Sequence, residues 1–108
     1  MALTKDYNEI INERLQKDPE FAAALFDEAI TLFLNGESDV ARMVIRDLVN
    51  ATIGFETLAK EVNKPSKSLH RMLTAKGNPT MDSLTNIFKA LKRKLNVEIE
   101  VHTVPAHS

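Results

Sequence analysis

The sequence predicts an all-α domain of five or six helices, with two short helices around a tight turn at its centre and one short C-terminal strand. Three observations carry this. Apolar residues recur at three- and four-residue spacing through most of the 108 residues, the period of helices with one face on a core. Strong punctuation divides the chain at Asp18-Pro19, Asn35-Gly36, Gly54, Asn63-Lys64-Pro65-Ser66 and Gly77-Asn78-Pro79. The period falls to two only near the C-terminus, where Val97, Ile99 and Val101 alternate with Glu98, Glu100 and His102. A chain of this length supplies one core and not two. The predicted organisation is therefore one domain, residues 1–108, in three stretches. Residues 1–53 form acidic N-terminal helices, 54–94 hold the central turn and the helix after it, and 95–108 form the strand and a tail.

Met1 to Lys17 reads as a short amphipathic helix marked by Ile10, Ile11 and Leu15. Asp18 is a helix N-cap and Pro19 suits the first helical position. The helix they open carries Phe21, Leu25, Phe26, Ala29, Leu32 and Phe33, a stripe wide enough for deep burial. Asn35-Gly36 stops it with a left-handed residue. Ser38 or Asp39 starts a third helix with Val40, Met43, Val44, Leu48 and Val49 facing inward, and Gly54 ends it. Leu58, Ala59 and Val62 mark a fourth helix; Leu69, Met72 and Leu73 mark a fifth. After Gly77-Asn78-Pro79, Thr80 caps a helix with Leu84, Ile87, Phe88 and Leu91 on one side. Residues 96–102 read as a strand without a second strand in the chain, so its backbone groups call for a partner from elsewhere. Thr103 to Ser108 is expected to fray.

The fourth and fifth helices carry the functional signal. Asn63 tolerates a left-handed backbone, Pro65 ends one helix and opens the next, and Lys64 before it is pushed towards an extended conformation. Two helices joined so tightly cross steeply, which is the helix-turn-helix arrangement whose second helix enters the major groove of DNA. At about 100° per residue from Leu69, the direction away from the core holds Lys67, Arg71 and Thr74, with Ser68 and His70 on the flanks. Lys64 and Ser66 lie at the entry to this helix. Lys64, Ser66, Lys67, Ser68, His70 and Arg71 are the candidate DNA-binding residues. An ordinary helical hairpin with basic exposed residues produces the same spacing.

Charge supports the DNA reading. The chain carries a net −1, yet residues 54–94 hold nine Lys or Arg against three Asp or Glu, while residues 1–53 hold five against ten. A basic block set in an acidic chain attracts phosphate and limits non-specific adhesion. Lys92, Arg93 and Lys94 crowd the end of the last helix, either offsetting its dipole at roughly 0.3–1 kcal/mol each or contacting phosphate. Glu9, Glu13, Asp27 and Glu28 form a solvated acidic face and a possible surface for a basic protein partner.

Other chemistries find little footing. The chain has no Cys, which removes disulfides and thiol chemistry and fits a reducing cytoplasm. Ser66, Ser68 and His70 come without an acid partner or oxyanion loop, so no catalytic residues are assigned and no enzyme is expected. His70, His102 and His107 lack metal-ligand spacing, and no Gly-rich phosphate loop is present, so no metal or other cofactor is expected. No apolar run is long enough to span a membrane, and MALTKDYNEI does not read as a signal peptide. Asn50-Ala51-Thr52 matches a glycosylation sequon by chance.

The segment LAKEVNKPSKSLHRML, followed by GNP, resembles the DNA-binding domains of the Cro and lambda-repressor (Xre) class. The longer stretch GFETLAKEVNKPSKSLHRMLTAKGNPTMDSLTNIFKALKRKLNVEIE resembles the addiction-module antidote proteins, small bacterial antitoxins. The resemblance runs from about Val40 to Glu100 and is tightest from Leu58 to Leu91. It implies a lambda-repressor-like fold and a cytoplasmic, nucleoid-associated homodimer on operator DNA. It further implies an antitoxin that represses its own operon and neutralises a small basic cognate toxin. The family's turn glycine is Asn63 here, the apolar residue after it is Lys64, and a polar Gln early in the first motif helix is Phe55. Those departures hold open a second class of function, a protein-interaction module with a degenerate helix-turn-helix that does not bind DNA.

Overall fold

The computed structural model describes residues 7–107 and contains six helices among them: α1 (Tyr7–Lys17), α2 (Pro19–Leu34), α3 (Ser38–Ala51), α4 (Phe55–Val62), α5 (Ser66–Met72) and α6 (Met81–Leu95). The part of the expected first helix before Tyr7 lies outside the described residues.

Local chemistry sets the boundaries. The Asp18 carboxylate accepts the N–H groups of Glu20 and Phe21, both at 3.1 Å, with Pro19 opening α2. Thr80 Oγ1 accepts the Ser83 N–H at 3.0 Å and caps α6. Three helices end in the same way, with a left-handed residue and a backbone bond reaching five residues back. After α2, Gly36 has φ +90° and the Glu37 N–H donates to the Leu32 carbonyl at 2.8 Å. After α4, Asn63 has φ +56° and Lys64 donates to Ala59 at 3.1 Å. After α6, Asn96 has φ +57° and Val97 donates to Lys92 at 3.1 Å. Among the described residues both non-glycine residues at positive φ are Asn, whose short polar side chain tolerates that region.

The core runs through all six helices. Phe26, Ile45, Leu48, Val49, Leu58, Leu69, Leu73, Ile87 and Leu91 are fully buried, and no polar side chain is buried among the described residues. α2 and α3 share the most extensive contact. α2 meets α6 through three rings: Phe88 lies 6.1 Å from Phe26 edge-on and 5.7 Å from Phe33, geometries favoured by the ring quadrupoles. Gly77 lets the 77–80 connection pass against the end of α5. A Cβ there would fall on the Met72 carbonyl oxygen and 2.8 Å from that of Arg71. Two expected inward residues turn out exposed, Ile10 and Val40. Val40 lies in the first turn of α3, beside the stripe of Ala41, Ile45 and Leu48 that takes the core.

The expected strand at 96–102 is not formed. Residues 97–107 lie outside any helix or strand. The chain provides no second strand among the described residues, and a lone extended segment has no ladder to join. Val97 and Ile99 instead pack half-buried against the core, with Lys92 Nζ of α6 3.4 Å from Glu98 Oε1. Val101 faces solvent, as do residues 102–107.

Asp47 of α3 is a half-buried carboxyl whose pKa is raised above the ordinary 3.8 by burial, with Arg46 lowering it in part. A raised folded pKa means the native state holds this proton longer than the unfolded chain. Its charge therefore costs nothing below the unfolded pKa, and the full cost is reached above the folded one. Asp47→Asn is expected to stabilise the protein at pH 7, with the gain vanishing as pH falls below about 4. Urea unfolding across that range checks it, and a loss of stability at pH 7 would contradict it.

Candidate nucleic-acid interface

α5 is held in place by core contacts on one side and polar contacts at its end. Leu69 and Leu73 are buried with Leu58 of α4. The turn between α4 and α5 is Asn63-Lys64-Pro65, and the left-handed Asn63 reverses the chain there. The remaining positions of α5 carry no carboxylate. Lys67, His70 and Arg71 are exposed, whereas Lys64, Ser66 and Ser68 are half-buried. Arg71 Nη2 donates to Ser68 Oγ at 3.5 Å along the helix. Among the described residues, none of Lys64, Lys67 and Arg71 is in an ion pair. The residues singled out from sequence are thus brought together along one short helix and the turn before it.

Two of them have neighbours that sequence reading did not foresee. The His70 imidazole stacks on the Phe55 ring, with centroids 3.8 Å apart and planes 19° from parallel. Phe55 is itself buried at the start of α4. The position expected to offer a polar contact instead provides an apolar platform that fixes the orientation of His70. Thr74, expected on the open face, is drawn into the scaffold. Arg42 of α3 donates from Nε to the Thr74 carbonyl at 2.9 Å and from Nη2 to the Ala75 carbonyl at 2.7 Å. A guanidinium on the carbonyls just after α5 ties the turn that follows the helix to α3, and its charge favours the negative end of the helix. In the sequence Arg42 is one of two arginines in an amphipathic helix, and nothing there marks its partner.

The basic trio at the end of α6 is largely committed elsewhere. Arg93 Nη1 bonds Glu61 Oε1 of α4 at 2.6 Å, and Lys92 faces Glu98. These contacts tie α6 to α4 and to the C-terminal segment. As exposed pairs they add roughly 0–1 kcal/mol each. Chemically, the α5 face presents ammonium, guanidinium, hydroxyl and imidazole donors on a rigid backbone. Such groups match phosphate oxygens and base-edge acceptors. No helix among the described residues is long and apolar enough to cross a membrane. Comparison with protein-family models, curated proteins and solved structures finds no match for this chain.

Proposed function

We propose that this chain is a sequence-specific DNA-binding transcriptional regulator, with α4 and α5 as its helix-turn-helix and α5 as the recognition helix. The observation that carries the reading is the charge of α5. Lys67 and Arg71 stand exposed with no ion pair among the described residues, on the one described helix that has no acidic side chain. In this reading Arg71 and Lys67 make the principal contacts, and Lys64, Ser66, Ser68 and His70 add secondary ones. The resemblance to antidote proteins extends the proposal to an antitoxin that represses its own operon and neutralises a small toxin, for which the carboxylates Glu9, Glu13, Asp27 and Glu28 of α1 and α2 offer a surface. Titrating a labelled duplex from upstream of its own coding frame, alongside a scrambled duplex, tests the DNA reading. Tighter binding to the upstream duplex, weakening steeply with salt, is expected. Phe55 favours a second reading, an interaction module without DNA binding, because its buried ring supplies no phosphate contact. Absence of binding to either duplex would decide for it.

The regulator is proposed to act as a homodimer, since readers of this type engage two half-sites about one helical turn apart. Among the described residues Glu98–His107 form no backbone hydrogen bonds within the chain, so this segment is free to pair with its copy. Light scattering on the full chain and on a chain cut after Leu95, both checked for helix content, is expected to show a dimer and a monomer respectively. Two monomers at tens of micromolar would contradict the tail-paired dimer.

A further inference from the structure

An apolar groove of about 290 Å³ lies between α2 and α6, lined by Ile30, Phe33, Leu34, Met81, Leu84 and Phe88. Leu34 is 58% exposed and Met81 67%. Two large apolar side chains left in water beside one groove mark an interaction surface rather than scattered exposure. The walls are preformed. Phe33 and Phe88 pack against each other, and Arg42, which also lines the groove, is held by two hydrogen bonds to the Thr74 and Ala75 carbonyls. A rigid groove avoids much of the ordering cost of binding.

Charge selects the occupant. Asp27 lies three and seven residues before Ile30 and Leu34, on the same helical face. Glu37 directly precedes Ser38, another lining residue, and Asp82 follows Met81. All three carboxylates are exposed and none is in an ion pair. The one cation that lines the groove is Arg42, and it is committed to two carbonyls. A second copy of this chain fits poorly. Its exposed Val101 follows Glu98 and Glu100, its exposed Ile10 follows Glu9 and its exposed Val40 follows Asp39, so each would bring like charge to an acidic rim; exposed Val104 has no carboxylate beside it but is a single side chain in the tail. We infer that this groove docks a basic amphipathic helix of a partner protein. Apolar residues of that helix enter between Leu34 and Met81, and its Lys or Arg residues face Asp27, Glu37 and Asp82. This site stands independently of DNA binding by α5.

The test uses the full chain and two synthetic peptides with the pattern of an amphipathic helix, one of Leu and Lys and one of Leu and Glu. Calorimetry is expected to show binding of the Lys peptide and little of the Glu peptide. Leu34→Ser/Met81→Ser should weaken the Lys peptide at least about tenfold, as truncating a central apolar contact does. Asp27→Lys/Glu37→Lys should weaken it and flatten its salt dependence. Three results would overturn the proposal: equal affinity for both peptides, unchanged binding by the Ser variants, or conversion of a dimer to monomers by those variants. The last would give the groove to a second copy.

Discussion

Leu58→Ala and Leu69→Ala are each expected to cost about 2–5 kcal/mol of folding stability, the range for emptying a fully buried leucine site. Both side chains have 0% exposure, so truncation removes apolar contact and leaves a cavity. The helices that carry them are short, eight residues for α4 and seven for α5. Helices of that length have almost no stability of their own in water. What holds them is packing, and these leucines supply much of it on the two facing sides. Each kcal/mol lost should lower Tm by about 4–8 °C in a domain of this size. Urea and thermal unfolding measure the effect. A loss below about 1 kcal/mol would mean that the two helices are not seated as described.

The second large effect is on DNA affinity. Lys67→Ala/Arg71→Ala should fold normally, because both side chains are exposed and neither contributes to the core. Arg71 is expected to read a base edge, and its loss should cost about 1–3 kcal/mol and relax specificity at one position. Lys67 is expected to contact phosphate, and its loss should weaken all sequences alike and lower the salt slope by about one unit. Together they should reduce affinity for the upstream duplex by one to several powers of ten, roughly 1.4 kcal/mol each. Anisotropy titrations at several salt concentrations separate the two contributions. Unchanged affinity in the folded double variant would remove α5 from the interface.

The boundaries of this fold were legible wherever a few consecutive residues decide the backbone. Asp18-Pro19, Asn35-Gly36, Asn63 and Thr80 all behave as their local chemistry predicts. The spacing of apolar residues also found the buried leucines. Contacts between distant parts of the chain were not legible. Arg42 and Thr74 are 32 residues apart, as are Arg93 and Glu61, and no pattern in either segment announces its partner. The Phe55–His70 stack was missed for the same reason, and Phe55 was read as a lost polar contact when its position is a packing site. The alternation at Val97, Ile99 and Val101 misled in a different way. A segment lying along a core puts alternate residues inward whether or not it pairs with a strand. Val97 and Ile99 show that pattern with Glu98 and Glu100 outward, so period two reports burial on one side and not a sheet. The groove between α2 and α6 could not be read from either helix alone, because Leu34 and Met81 each look like ordinary members of an apolar stripe.

The proposed function rests on DNA binding by the face of α5. Backbone amide NMR of the full chain titrated with the upstream duplex tests it most directly. Perturbations are expected to concentrate at residues 64–74, with weak ones at the start of α4, and to fade as salt is raised. Perturbations confined to α1 and α2 or to the groove, or none at low salt with equimolar duplex, would contradict it.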